Sequence, residues 1–142
     1  MAYTFTVNKT YSVSSYQIIL SSFTYLRVKE ISTGNIVYQT LLSGKPAIRV
    51  VGSNYEIGTF STSDPIFERK IDLSLNPHSL EVSQVESDYC CIGVSNDGGD
   101  TVTYTYKINL CPVELWKSGN NIYLRSPYCA GQSGCGNCFS ES

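Results

Sequence analysis

Apolar and polar side chains alternate along most of the first 126 residues. Tyr3, Phe5 and Val7 share one face of an extended chain, while Thr4 and Thr6 lie on the other. A two-residue period is typical of β-strands, and the helical period is nearly absent from this sequence. The pattern therefore predicts an all-β chain.

Strands are predicted where this alternation, or a short apolar run, is bounded by turn residues. They cover residues 3–8, 16–20, 26–29, 36–42, 47–51, 55–60, 66–73, 89–94, 101–110, 113–117 and 121–125. Residues 80–85 fit either a short strand or an irregular crossing. Many short strands at a spacing of roughly 8–12 residues favour an antiparallel β-sandwich, with a barrel as the alternative.

The composition changes at Pro127. Residues 127–142 are rich in Gly and Cys and have no hydrophobic period. A segment of this kind has too little apolar surface to form a core of its own. We therefore predict one β-sandwich domain over residues 1–126 and an irregular Cys- and Gly-rich C-terminal tail over residues 127–142.

Charge narrows the range of partners. Charged residues make up 15% of the chain, and ten Lys and Arg face twelve Asp and Glu. Nucleic-acid binding depends on clustered basic residues, and this sequence has no such cluster. It also lacks both an apolar stretch of about 20 residues and an N-terminal signal pattern. We expect synthesis in a cytoplasm, without a nucleic-acid or membrane partner.

One stretch resembles a known family. Tyr89 lies two residues before Cys91, and an Asn- and Gly-rich turn follows at residues 95–99. This resembles strand F and the F–G turn of immunoglobulin-like domains. The resemblance implies an immunoglobulin-like sandwich, and a jelly-roll-like sandwich is the alternative.

The rest of the chain departs from that family. No cysteine precedes Cys90, so Ile18 or Ile19 would take the place of the strand-B cysteine. Trp116 comes too late in the chain to be the strand-C tryptophan, and the resemblance would assign that core position to Tyr25.

The later cysteines suggest a metal site. Cys135 and Cys138 form a Cys-x-x-Cys pair, and Cys111 and Cys129 precede them. Four such thiolates can hold zinc and would attach the tail to the sandwich. A disulfide that anchors the tail is one alternative. Reduced thiols without a cofactor are the expected state in a cytoplasm.

The sequence contains no set of residues typical of catalysis. His78 is the single histidine and lies in a turn after Asn76 and Pro77, and no nucleophile-elbow or phosphate-binding loop occurs. We predict that the protein is not an enzyme.

Aromatic residues are the remaining candidates for binding. Trp116, Tyr123 and Tyr128 lie close together in sequence around the predicted terminal hairpin. Such side chains anchor protein interfaces and stack on ligands, and alternatively they close one end of a core.

These observations favour a structural or assembly protein. In architecture and composition the chain is similar to small β-sandwich accessory proteins of tailed-phage virions, such as capsid-decoration, connector-ring or fibre-attachment subunits. The resemblance implies contacts with other protein subunits in a homo-oligomer or symmetric particle. A carbohydrate-binding module that uses the Trp and Tyr residues is the first alternative, and a zinc-stapled β domain is the second.

Overall fold

The structure is a computed structural model that describes residues 3–21, 24–62, 67–72, 79–86, 89–95, 102–109, 112–126 and 140–141. Side chains are described for residues 4–20, 24–61, 68, 70 and 112–126. Within these ranges the chain forms strands and one short 3-10 helix, η1 (Leu42–Gly44). The strands are β1 (Tyr3–Ser12), β2 (Tyr16–Ser21), β3 (Tyr25–Glu30), β4 (Ile36–Leu41), β5 (Ala47–Val51), β6 (Asn54–Thr62), β7 (Phe67–Asp72), β8 (Ser79–Glu86), β9 (Tyr89–Ser95), β10 (Val102–Asn109), β11 (Val113–Ser118), β12 (Asn121–Ser126) and β13 (Ser140–Glu141).

The strands form two antiparallel sheets. Sheet A has the order β1-β6-β5-β11-β12-β7, and sheet B has the order β13-β10-β9-β8-β2-β3-β4. The chain passes from sheet B to sheet A between β4 and β5, where η1 makes the connection. Among the described strands, β4 is therefore at one edge of sheet B and β1 is at one edge of sheet A.

A hydrophobic core lies between the sheets. Sheet A contributes alternate residues of β11 and β12, and sheet B contributes alternate residues of β2 and β3. The buried members of the cluster are Ile18, Leu20, Leu26, Val28, Leu42, Ile48, Tyr55, Ile57, Val113, Leu115, Ile122 and Leu124. Because residues two apart in a strand share a face, the described parts of both sheets are apolar on the side that faces the core, and the all-β sandwich is confirmed.

The predicted strands agree with the structure in most places. The hairpins β3–β4, β9–β10 and β11–β12 pair in antiparallel register, as the alternation predicts. Residues 80–85 belong to a strand, β8, which pairs with β9 and β2. Strand β1 continues to Ser12, beyond the predicted end, because it pairs with β6 along its length apart from a bulge at Val7–Lys9.

The prediction that Tyr25 occupies a core position is wrong. Leu26 and Val28 of β3 are buried in the core, so the neighbouring Tyr25 faces the outside of sheet B, where it is half-buried. The Arg27 guanidinium lies 5.2 Å from the Tyr25 ring centre. Ile18 is buried in the core, and Ile19 is half-buried on the opposite face.

The end of the chain returns to sheet B. Ser140 and Glu141 pair with Thr105 and Tyr104 of β10, at the edge opposite β4. The rest of the predicted tail, residues 127–139 and Ser142, lies outside the described residues.

Candidate functional site

The hairpin of β11 and β12 carries an aromatic and charged cluster on the outer face of sheet A. Val113 and Leu115 are fully buried against sheet B, so Glu114 and Trp116 point the other way. The turn contains Gly119 at φ 61, a left-handed conformation that glycine adopts without a steric penalty. This turn sets the register that brings outer-face residues of the two strands together.

Trp116 and Tyr123 are direct register partners on this outer face. Their ring centres are 5.1 Å apart and the ring planes differ by 12°, so the rings are stacked. Both side chains are half-buried, and neither belongs to the core cluster. The structure therefore places these two predicted interface residues on the surface of sheet A.

Two cations lie against the same indole ring. The Arg125 guanidinium is 4.5 Å from the Trp116 ring centre, and the Lys45 ammonium is 5.3 Å from it. Cations are attracted to the negative face of an aromatic ring. The tryptophan is thus held by three side chains of its own protein, including Tyr123.

Acidic groups complete the cluster. Glu68 of β7 accepts hydrogen bonds from Arg125 Nε at 3.1 Å and from Nη2 at 2.7 Å. Glu114 lies 3.9 Å from Lys45 Nζ and is the register partner of Arg125. The outer face of sheet A therefore holds alternating charges around one aromatic pair.

Glu114 is the electrostatically unusual member of the cluster, because only 7% of its surface is exposed. Burial raises the pKa of its carboxyl above the ordinary value of 4.5, and the nearby Glu68 adds to this effect. Arg125 and Lys45 oppose the rise in pKa because they stabilise the carboxylate.

Lys45 reaches the cluster from a different part of the chain. It follows η1 with φ 53, and among the described residues it is the non-glycine residue with a positive φ. Its backbone N–H donates to the carbonyl of Leu42 at 2.9 Å. Left-handed backbone is unfavourable for a side-chain-bearing residue, so this turn places the lysine at a conformational cost.

A second surface feature is the edge of sheet B at β4. Among the described residues, four of the six exposed large hydrophobic side chains lie between positions 31 and 41. They are Ile31, Ile36, Val37 and Leu41, with exposed fractions of 55%, 42%, 45% and 49%. Strand β4 contains no charged residue and no proline.

The backbone of β4 also points outward at this edge. The N–H of Leu42 donates to the carbonyl of Thr24 at 2.9 Å, and the register pairs Leu41 with Tyr25 and Gln39 with Arg27. In antiparallel pairs, residues that bond to the neighbouring strand alternate with residues whose N–H and C=O groups face away. The backbone groups of Gln39 and Leu41 therefore face away from β3.

A shallow cleft of about 210 Å³ lies beside the end of β4. It is lined by Thr24, Leu41, Leu42, Ser43, Lys117 and Gly119. Lys117 is the one titratable side chain of these six, so these residues do not provide an acid–base pair for catalysis.

The other predicted site residues lie outside the described part of the chain or on strand β9. Tyr128 and the proposed zinc ligands, Cys111, Cys129, Cys135 and Cys138, lie outside the described residues, as does His78. Tyr89 and Cys91 lie on β9 between β8 and β10, but the structure describes only their backbone. Within the part of the chain that is described, no group of three or more His, Cys, Asp or Glu is arranged to hold a metal ion.

The predicted site residues did not include Glu114, Arg125 and Lys45, which lie around Trp116 in the structure. The first two follow from the terminal hairpin, since its register places Glu114 opposite Arg125 and Trp116 opposite Tyr123. The contact of Lys45 with Trp116 could not be predicted in this way. Lys45 lies about 70 residues earlier in the chain, and contacts between such distant segments depend on tertiary structure.

Comparison of the chain with protein-family models, with curated proteins and with solved structures found no match. In the described ranges no helix has the length and apolar character that crossing a membrane requires.

Proposed function

We propose that this protein is a non-enzymatic structural domain that acts through protein–protein contacts at strand β4. The observation that carries the proposal is the concentration of exposed apolar side chains along this strand, at Ile36, Val37 and Leu41. Isolated exposed apolar residues are ordinary, whereas a group of them on one strand at a sheet edge favours an interaction surface.

The edge position of β4 supports the same function. Sheet edges that are open to solvent are commonly protected by charged residues, prolines or bulges. Of these devices β4 has one, a bulge between Tyr38 and Ile36, and its remaining residues pair regularly with β3. Such an edge can add a strand from a partner, with backbone hydrogen bonds that give affinity and side chains that give specificity.

The setting that we propose is a virion-type accessory subunit, used for capsid decoration, a connector ring or fibre attachment. Its support is the resemblance in β architecture and composition described above, together with the apolar edge. A symmetric particle provides many equivalent neighbours for such an edge.

Site-specific photocrosslinking tests the contact surface. A photoreactive phenylalanine analogue at Val37, introduced in the cells that naturally produce the protein, should give an adduct of one discrete mass. The control is the same analogue at Thr10, an exposed residue of β1 at an edge of sheet A. Equal yields at the two positions, or none at either, would contradict the proposed contact at β4.

Carbohydrate binding at Trp116 and Tyr123 is the second candidate, favoured by their stacked and half-exposed rings. Sugars bind tryptophan by stacking on an open ring face, but Arg125 and Lys45 already lie against this ring. We therefore place this function second. A glycan array that shows binding by the natural protein and loss of binding by Trp116→Ala would reverse that order.

A further inference from the structure

On the basis of the function proposed above, we propose that the partner of β4 is a second copy of this chain. The two copies of β4 would pair antiparallel across a twofold axis that passes beside Gln39. Sheet B of one copy would then continue into sheet B of the other.

The backbone hydrogen bonds allow this position of the axis, and the side chains select it. Because the N–H and C=O groups of Gln39 and Leu41 face away from β3, they are the groups available to another strand. Antiparallel strands bond through pairs of residues that both face the partner. An axis beside Gln39 pairs this residue with its own copy, which meets that requirement.

The side chains of β4 match each other in this register. Position 37 lies opposite position 41 of the other copy, so the exposed Val37 and Leu41 meet, at both ends of the pairing. Tyr38 lies opposite Thr40, and the two Gln39 amides meet at the axis. The exposed apolar residues thus meet each other and Gln39 meets its own copy, which is the self-complementarity that a twofold interface requires.

The charge distribution permits the same pairing. The strand next to β4 is β3, and its two cations, Arg27 and Lys29, lie one strand in from the edge. Across the axis, β3 and its copy are separated by three strand spacings, or about 14 Å. This exceeds the Debye length of about 8 Å at physiological ionic strength, so repulsion between these cations is largely screened.

Charge substitutions at the axis test the proposal with the purified full chain. Sedimentation should show a dimer for the natural protein at high concentration. Gln39→Lys and Gln39→Glu should each weaken self-association about tenfold or more, because each variant places like charges directly opposite each other. An equal mixture of the two variants should recover the dimer, because a lysine then faces a glutamate.

The control is Thr10→Lys, which adds a charge to the edge strand β1 and should leave the dimer unchanged. Leu41→Lys supplies a second disruption at an exposed position, and far-UV dichroism checks that each variant is folded. A natural protein that remains monomeric at its solubility limit would overturn the proposal. A dimer that Gln39→Lys leaves intact, or a mixture that fails to recover the dimer, would do the same.

The photocrosslinking experiment distinguishes self-pairing of β4 from contact of β4 with another protein. A β4 crosslink with twice the mass of the chain supports self-pairing. A crosslink of another mass at Val37 retains the contact function of β4 and overturns self-pairing.

Discussion

The backbone carbonyl of Thr6 lies directly against the α-carbon of Gly58, on the neighbouring strand. A β-carbon added to residue 58 would collide with the Thr6 carbonyl oxygen and approach the backbone of Val7. The contact occurs where β1 bulges between Val7 and Lys9. Gly58 therefore allows β1 to pack closely on β6 at this point.

We predict that Gly58→Ala is strongly destabilising, because the clash involves backbone atoms that cannot rotate away. The expected loss in the free energy of unfolding is about 1–3 kcal/mol or more, as for other overpacked sites. Urea denaturation monitored by Trp116 fluorescence measures it. The matched control is Gly44→Ala, where a β-carbon meets nothing within 4 Å. If both substitutions change stability equally, the close approach at Gly58 is not the cause.

A second prediction concerns the pH dependence that Glu114 contributes. Its pKa is raised in the folded state, so the folded protein binds this proton more tightly than the unfolded chain. The contribution to stability is therefore most favourable below the ordinary pKa of 4.5 and falls as the pH rises through the raised value. Glu114→Gln removes this ionisation.

The free energy of unfolding of Glu114→Gln, relative to the natural protein, should therefore increase between pH 4 and pH 7. Urea denaturation of both proteins at the two pH values gives this difference, in which the titration of all other groups largely cancels. A Gln variant that loses relative stability as the pH rises would show that the attraction of Arg125 and Lys45 outweighs burial.

A third prediction concerns the contact between Arg125 and Trp116. A double-mutant cycle with Arg125→Ala and Trp116→Ala, in which the free energy of unfolding is measured by chemical denaturation, should give a coupling energy of about 0.5–2 kcal/mol. The control cycle combines Arg125→Ala with Phe5→Leu on β1, four strands away in the same sheet. Those two changes should be additive within about 0.5 kcal/mol. Additivity in both cycles would mean that the cation makes no net contribution at the ring.

A fourth prediction concerns the backbone conformation of Lys45. Lys45→Gly and Lys45→Ala both remove the ammonium group, so their difference reports the conformation at φ 53. We expect the Gly variant to be more stable than the Ala variant by about 1–2 kcal/mol in chemical denaturation, because glycine adopts left-handed backbone without a clash. Equal stabilities would indicate that the residue leaves this conformation once the lysine side chain is lost.

Part of the candidate surface could be predicted from the sequence. The turn at Gly119 and the alternation on each side of it predict the terminal hairpin, and the hairpin register brings Trp116 next to Tyr123. A turn at Gly34 with alternation on each side of it likewise predicts the β3–β4 hairpin. These features depend on residues close together in the chain, and local pattern is sufficient to specify them.

The edge position of β4 did not follow from the sequence in the same way. Its residues Ile36 to Leu41 appear in the sequence as an ordinary apolar strand, which fits an interior position equally well. Only the order of strands in sheet B shows that β4 has a neighbour on one side among the described strands. That order depends on pairings between distant segments, such as Ile18 with Val82.

By itself, the sequence determined the strands, most of their turns and the all-β class, because a period of two is a local property of extended chain. Only the tertiary structure decided that Leu26 rather than Tyr25 faces the core, and that Lys45 meets Trp116. It also decided that Gly58 lies beneath a backbone carbonyl. Alternation shows which residues share a face, but the buried face and the neighbouring strands are selected by packing across the whole domain.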